Sequence, residues 1–178
     1  MASAGDRKQF KVWVRHRTAP VLAVLGNHDG GGAFGFLFRC NGFDLSGRAK
    51  AVAPGLWVLG VGWTGEHPSD LPDELHLLRR CRMARRMFEL EAGPNDGVII
   101  LTHYPPKLGL SFAGEYACVG QLVDDLRPLA VVMGHDHGRF SAQFTYEGPR
   151  GRSLLLSAGP FGGTLDVTVD TRTASFVP

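Results

Sequence analysis

The sequence predicts an α/β fold, and three observations support that prediction. First, three apolar runs of β-strand character, at residues 21–25, 98–101 and 129–133, each end in a polar turn. Second, helical patterns precede the second and third of these runs. Third, the pattern beyond residue 137 changes to short strands separated by turn signals. Together these features predict an α/β layer followed by an antiparallel run of strands.

In the first part of the chain, a short basic helix is predicted at residues 7–17, ahead of the strand at 21–25. The mixed stretch that leads to Asn41-Gly42 is predicted to hold another short helix. Residues 52–63 are predicted to form either a strand pair or a single strand with a Pro-Gly turn. A helix is predicted at residues 72–91, because apolar residues recur there at helical spacing and Pro72 suits a first turn.

The second half repeats the alternation. Residues 93–97 are rich in Gly, Pro, Asn and Asp and break the helix before the strand at 98–101. A helix is predicted at residues 115–126, and Pro128 opens the strand at 129–133. Short strands should follow, separated by Gly-Pro and Asp-Thr turns. These strands are predicted at residues 141–146, 153–157, 165–169 and 174–177.

The bulk properties are those of one ordinary globular domain spanning residues 1–178. A net charge of +2 is too small to indicate a nucleic-acid partner, and the arginines clustered in the 72–91 helix are interpreted as a solvated face. The three cysteines, Cys40, Cys81 and Cys118, are widely spaced and indicate free thiols. No signal peptide is recognised, and no apolar run approaches the roughly 20 residues of a membrane span. A soluble, cytoplasmic protein without a membrane partner is expected.

The three polar turns carry most of the chemically informative residues. They read Gly-Asn-His-Asp at 26–29, Thr-His-Tyr-Pro-Pro at 102–106 and Gly-His-Asp-His at 134–137. Four of the seven histidines lie in these turns, and each turn follows a strand, which predicts that they share one rim of a sheet. Imidazole and carboxamide ligands suit zinc, iron or manganese-type ions. The sequence therefore predicts a metal site at this rim.

In this order, the three turns resemble the last three of five strand-end motifs that mark the calcineurin-like metallophosphoesterases. The resemblance covers the chain from about residue 21 to its end. It implies a two-sheet β sandwich flanked by helices, with a metal-dependent phosphoesterase site that uses one or two divalent transition-metal ions such as Mn, Fe or Zn. Two cations about 3.5–4 Å apart neutralise the charge of a phosphoester and lower the pKa of water.

Residue by residue, the resemblance implies that Asn27, His103 and His135 bind one metal ion and that His137 binds the other. His28 would not be a ligand; it would lie beside the scissile bond and protonate the leaving oxygen. Asp29 would orient the imidazole of His28. Asp136 lies between two predicted ligands and is expected to have a structural role.

The first two motifs of the family are missing. No Asp-x-His precedes Asn27, and the Gly-Asp-x-x-Asp motif survives only as Gly5-Asp6. The chain is therefore expected to be N-terminally truncated relative to the family, lacking its first strand–helix unit. One metal ion would keep three protein ligands, the number typical of an open catalytic site, and the other would keep only His137. Asp6 is the one candidate for a bridging carboxylate.

Three accounts of this gap remain open at the sequence level. The chain could be a metallophosphoesterase whose N-terminal unit is absent from this form. It could be a degenerate relative that binds one metal ion or none and acts as a binding or scaffold module. A partner chain, including a second copy, could complete the site. The expected substrate is a phosphorylated small molecule or protein.

Overall fold

The computed structural model describes Val12, Arg15–Asn27, Asp29, Gly42–Thr64, Asp70–Asp136, Gly138, Ala142–Ser157 and Gly163–Val177. These residues include two helices, α1 (Glu74–Glu91) and α2 (Ala117–Leu126). The strands before α2 are β1 (Val21–Ala23), β2 (Gly42–Asp44), β3 (Arg48–Ala53), β4 (Leu56–Val61) and β5 (Gly97–Thr102). The strands after it are β6 (Ala130–Met133), β7 (Ala142–Gly148), β8 (Gly151–Ser157), β9 (Thr164–Thr168) and β10 (Thr173–Val177).

The main sheet has six strands in the order β3-β4-β5-β6-β8-β7. The four inner strands are parallel, and an antiparallel strand closes each edge. Helix α1 lies in the connection from β4 to β5, and α2 lies in the connection from β5 to β6, as parallel pairing requires. The parallel centre brings the carboxyl ends of β4, β5 and β6 to one edge. Two further sheets have two strands each, parallel β1-β2 and antiparallel β9-β10.

Helix α1 begins where the sequence supplies a capping residue. The Asp73 carboxylate accepts a hydrogen bond from the backbone N–H of His76 at 2.7 Å, which makes Asp73 the N-cap. Pro72 therefore lies before the helix and not in its first turn, which corrects the predicted start by two residues. The buried face carries Leu77, Cys81 and Ala84 at spacings of three and four residues and packs on β3, β4 and α2.

Helix α2 has no capping side chain of its own, because its N-cap is Tyr116. Glu74 of α1 supplies the missing acceptor: its carboxylate accepts a hydrogen bond from the backbone N–H of Cys118. At the other end, Arg127 adopts a left-handed conformation and closes the helix. Its carbonyl oxygen accepts a hydrogen bond from Arg172 at 2.9 Å, which places a cation at the negative end of the helix dipole.

The core lies between the main sheet and the two helices. Inward-facing residues of β4, β5 and β6, among them Leu59, Ile100 and Val131, are fully buried and belong to the same apolar cluster as the helix residues Leu77 and Val119. The opposite face of β5 is half-buried. A layer of two helices thus packs on this face of the sheet, which gives the α/β layer that the sequence predicts.

Most predicted elements are present with boundaries shifted by a few residues. The strand predicted at 21–25 ends at Ala23, because the backbone N–H of Leu25 turns to the hydroxyl of Ser46. The strand pair predicted at 52–63 begins earlier, at Arg48, and turns at Gly55 with φ +70°. Strand β2 was not predicted.

Two predicted helices fall largely outside the described residues. The stretch at 30–41 lies wholly outside them, and only part of 7–17 is described, where Val12 and Arg15 are helical. Cys40 also lies outside; Cys81 and Cys118 are free, as expected, and both are buried. Within the described part of the chain, no helix is both long and apolar enough to cross a bilayer.

Candidate functional site

Parallel pairing sets the position of the candidate site. Thr102, the last residue of β5, pairs with Val61 of β4 and with Met133 of β6. The residues that follow these strands therefore emerge side by side at one edge of the sheet. His103 follows β5 directly, and His135 follows β6 after one glycine.

Strand β1 reaches the same edge from outside the main sheet. The carbonyl oxygen of Leu25 accepts a hydrogen bond from the backbone N–H of Trp63 at 3.0 Å, just beyond the end of β4. The N–H of Leu25 donates to the Ser46 hydroxyl at 2.9 Å. These two contacts anchor the chain where it turns into Gly26 and Asn27, and they bring the first polar turn to the other two.

Asn27, His103 and His135 come together at this edge. Asn27 Oδ1 lies 2.9 Å from His103 Nε2, and His135 Nδ1 lies 3.3 Å from the same nitrogen. Asn27 is only 6% exposed, so its carboxamide is held inside the site. Three residues that lie far apart in the sequence thus share one small polar cluster. Their assignment as metal ligands stays a prediction.

The donor set and its spacing fit a divalent transition-metal ion. Zinc-type ions bind imidazole nitrogen and oxygen ligands at about 2.0–2.2 Å, so neighbouring ligand atoms lie roughly 3.0–3.5 Å apart around such an ion. The measured 2.9 Å and 3.3 Å are close to that range. An amide oxygen and two imidazole nitrogens are also ligand types that zinc, iron and manganese accept.

This cluster does not include three acidic, histidine or cysteine ligands. Within the ranges that the structure describes, no group of three or more His, Cys, Asp and Glu side chains could hold a metal ion. The described cluster has two histidines, and its third member is the carboxamide of Asn27. The predicted residues His28 and His137, and the bridging candidate Asp6, lie outside the described residues.

Two glycines let the backbone approach the histidine rings. A Cβ added to Gly26 would lie 2.6 Å from Nδ1 and Cε1 of His103, a distance that no side chain tolerates. A Cβ at Gly114 would lie 2.6 Å from His135 Nε2, and Gly114 also has φ +66°. The backbone of Gly114 therefore covers the Nε2 side of His135, while Nδ1 faces His103. Gly114 was not predicted from the sequence to belong to the site.

The Tyr104 ring packs against the rings of both His103 and His135. It is fully buried, and its ring centroid lies 4.9 Å from that of His103 and 5.4 Å from that of His135. Its hydroxyl donates to the carbonyl oxygen of Trp63 at 3.0 Å. Burial raises the pKa of the Tyr104 phenol, and the neighbouring charges of Tyr116 and Asp29 raise it further. The sequence signal for this role was weak: an aromatic residue directly after a predicted ligand.

Asp29 closes the first polar turn. Its carboxylate accepts a hydrogen bond from the backbone N–H of Gly26 at 2.7 Å, and its own N–H donates to the Gly26 carbonyl at 3.1 Å. These two hydrogen bonds join Gly26 and Asp29 in both directions and close the turn between them. Whether Asp29 also orients the His28 ring stays a prediction.

Asp136 has the structural role expected for it. Its carboxylate oxygens accept hydrogen bonds from the backbone N–H groups of Ala113 and Gly138, at 3.1 Å and 3.0 Å. The residue before it, His135, has φ +66°, a left-handed conformation that side chains rarely adopt. Asp136 thus stabilises a strained turn that directs His135 toward His103, and backbone strain of this kind is common at functional sites.

Comparisons with known proteins agree with this architecture. The family model for calcineurin-like phosphoesterases matches residues 4–139. A comparison with curated proteins gave no significant match. The chain is similar in fold to the crystal structure of TT1561 from Thermus thermophilus, with a TM-score of 0.63, 17% identity, and coverage of 99% of this chain and 80% of that one. A second solved structure has a TM-score of 0.64, 13% identity, and coverage of 97% and 71%.

The family match spans more than three quarters of the 178 residues and includes the described cluster of Asn27, His103 and His135. The TM-scores show that this chain shares its α/β fold with the two solved structures. The chain belongs to the calcineurin-like phosphoesterase family.

Proposed function

We propose that this chain is a metal-dependent phosphoesterase that hydrolyses phosphomonoesters or phosphodiesters. The observation that carries the proposal is the convergence of Asn27 Oδ1 and His135 Nδ1 on His103 Nε2, at 2.9 Å and 3.3 Å. A divalent ion bound there would polarise a phosphoryl oxygen and lower the pKa of water. Mn, Fe and Zn are the ions whose ligand preferences suit this set.

The proposed division of labour separates binding from proton transfer. Asn27, His103 and His135 hold one metal ion, and His137 contributes to a second. His28 protonates the leaving oxygen, with Asp29 as the group that orients it. Phosphorylated small molecules and phosphoproteins are the proposed substrate classes.

A second candidate function has its own observation. The sequence lacks Asp-x-His and Gly-Asp-x-x-Asp, the motifs that supply the remaining carboxylates in the family. The alternative is therefore a catalytically weak or inactive family member that acts as a binding or scaffold module. A partner chain or a second copy that supplies the missing ligands is a third arrangement.

Metal analysis of the purified chain separates these functions. Under the proposal, the Asn27/His103/His135 site fills to about one equivalent, while the site that depends on His137 fills poorly, because a single protein ligand is too few to hold an ion. The expected activity on an aryl phosphodiester is weak. Two tightly held equivalents without a partner would show that the chain supplies ligands beyond this set, with Asp6 the first to test.

Substitution of His28 tests the assignment of the proton donor. His28→Ala should remove phosphodiester hydrolysis and leave metal content unchanged, whereas His103→Ala should lower both. The matched control is His76→Ala, an exposed histidine on α1 outside the cluster. A His28→Ala variant that folds normally and loses its metal would identify His28 as a ligand. Metal bound at full occupancy without turnover on any phosphoester would favour the binding module.

A further inference from the structure

The outward face of α1 is unlike an ordinary solvated helix surface. Six residues lie on the side of the helix opposite the buried residues Leu77, Cys81 and Ala84. We call them the α1 stripe: Leu75, Arg79, Arg82, Met83, Arg86 and Leu90. All six are exposed, and the stripe is about 22 Å long at the rise of an α-helix.

The three arginines of the stripe make no ion pair with any acidic residue that the structure describes. The other two arginines of α1, Arg80 and Arg85, make contacts within the molecule. Arg85 contacts Glu89 and Asp125, and Arg80 donates to the Ser46 carbonyl oxygen. Arg79, Arg82 and Arg86 thus present three positive charges on one helix face with no described counter-charge.

The apolar residues of the stripe are unusually exposed for their type. Leu75 is 51% exposed, Met83 is 52% exposed and Leu90 is 74% exposed. A single exposed leucine needs no explanation, but here three large apolar side chains lie on the same helix face as the three arginines. The arginines are interleaved with them, so a molecule that binds the stripe must complement both its positive charge and its apolar surface.

This interleaving discriminates between classes of occupant. A bilayer favours a contiguous apolar face with cations at its flanks, whereas insertion of this stripe would carry Arg79 and Arg86 into the acyl region with the leucines. A nucleic acid would use the arginines and leave the leucines in water. A second copy packed face to face would set arginine against arginine.

A protein partner that carries acidic and apolar residues can contact both the arginines and the apolar residues of the stripe. An amphipathic helix that alternates Asp or Glu with apolar residues can pair with the three guanidinium groups and bury the three apolar side chains at the same time. We propose that the α1 stripe is a docking surface for an acidic amphipathic helix of another protein. The surface lies on α1 and does not depend on the metal cluster or its chemistry.

An unbiased peptide selection tests this proposal on the full chain. The probe is a display library of helical peptides, each about as long as α1, with randomised surface positions. Recovered peptides should carry acidic residues at spacings of three or four, interleaved with apolar residues. Arg82→Glu and Leu90→Asp should each lower the affinity of the chain for the selected peptides about tenfold or more, as loss of a central interface residue does.

Matched controls make the result specific. Arg150→Glu changes the net charge by the same amount at an exposed arginine of the β7–β8 turn, and it should leave peptide binding unchanged. Circular dichroism checks that each variant folds, and Arg86→Glu replaces Arg82→Glu if that variant does not fold. Recovery of peptides without an acidic pattern, or binding insensitive to the stripe substitutions, would overturn the proposal. So would binding to phosphatidylserine vesicles that Arg82→Glu abolishes, since that outcome assigns the stripe to a membrane.

Discussion

At the scale of single residues, the site depends on positions that carry no side-chain chemistry. Gly26 and Gly114 contact the two histidine rings through their backbones, and no larger residue fits at either position without displacing a ring. The motif residues Asn27, His103 and His135 could be identified from the sequence, because polar turns after apolar strands share an edge. Gly114 could not, because its contact with His135 arises only when the β5–α2 connection folds over the β6 turn.

The first prediction concerns Gly26. In Gly26→Ala the new methyl group would lie 2.6 Å from the His103 ring, so the ring or the Asn27 turn must move and the cluster should open. We expect metal affinity, measured by calorimetric titration with Zn²⁺, to fall about tenfold or more, as for a lost orienting contact. Stability of the metal-free protein should change less, since the cluster lies at the sheet edge and not in the core.

Gly109→Ala is the matched control for this prediction. Gly109 has φ +78°, so alanine is strained there, but no atom beyond its two chain neighbours lies within 4 Å of the added Cβ. We expect a stability loss of about 1 kcal/mol with unchanged metal affinity. Equal metal affinity in Gly26→Ala and the unmodified chain would show that His103 does not need its present position.

At the scale of elements, local sequence pattern predicts where most helices and strands lie, whereas the order of strands in the sheet depends on tertiary contacts. Helix α1 could be predicted within two residues because apolar residues recur at helical spacing over its whole length, and strand β5 because its apolar run directly follows the 93–97 turn. The N-cap Asp73 was not recognised, which is why the predicted start of α1 is two residues early. The sheet order could not, since β8 lies between β6 and β7, and short alternating strands carry no signal that selects their neighbour. Strand β2, with three residues, is too short for a periodic signal.

The start of α2 also depends on tertiary context, and this gives the second prediction. Glu74 of α1 accepts the hydrogen bond of Cys118 N–H and places a carboxylate at the positive end of α2. Glu74→Ala should lower the free energy of unfolding by about 1 kcal/mol, the usual cost of a lost N-cap. Urea denaturation measures this loss. The control is Glu91→Ala, because Glu91 is exposed at the other end of α1. Its free energy of unfolding should stay within about 0.5 kcal/mol of that of the unmodified chain. Equal stabilities of the two variants would show that Glu74 does not cap α2.

At the scale of the whole molecule, a buried phenol (Tyr104), a half-buried phenol (Tyr116) and a buried thiol (Cys118) connect the site to the helix layer. Tyr104 packs edge-on against Tyr116 with ring centroids 5.3 Å apart, and the Tyr116 hydroxyl donates to the Pro72 carbonyl oxygen at 2.8 Å. Burial is the largest cause that raises the pKa of each phenol. The pKa of the Cys118 thiol is also raised, first by its hydrogen bond with Cys81 and then by burial. All three groups favour the protonated form in the folded protein.

The last prediction follows from these three groups and concerns alkaline pH. Well below about pH 9 the folded and unfolded chains both keep these protons, so the groups impose no pH dependence. Above the ordinary pKa values of 9.0 for the thiol and 10.0 for the phenols, the unfolded chain releases protons that the folded chain retains. Unfolding is then favoured, and stability should fall as pH rises, by at most about 1.4 kcal/mol per pH unit for each group.

Urea denaturation at intervals from about pH 8 to about pH 11 measures this decline. Tyr104→Phe keeps the ring against His103 and removes the phenol, so the decline above about pH 10 should become shallower, even though the lost hydrogen bond to Trp63 lowers stability at every pH. Cys118→Ala should instead remove the part of the decline that begins near the ordinary thiol pKa of 9.0. Because the readout is the slope and not the absolute stability, the general cost of either substitution does not obscure it. If both variants retained the slope of the unmodified chain, lysines and other surface groups would be its source, and Tyr104 and Cys118 would ionise in the folded protein as readily as in the unfolded one.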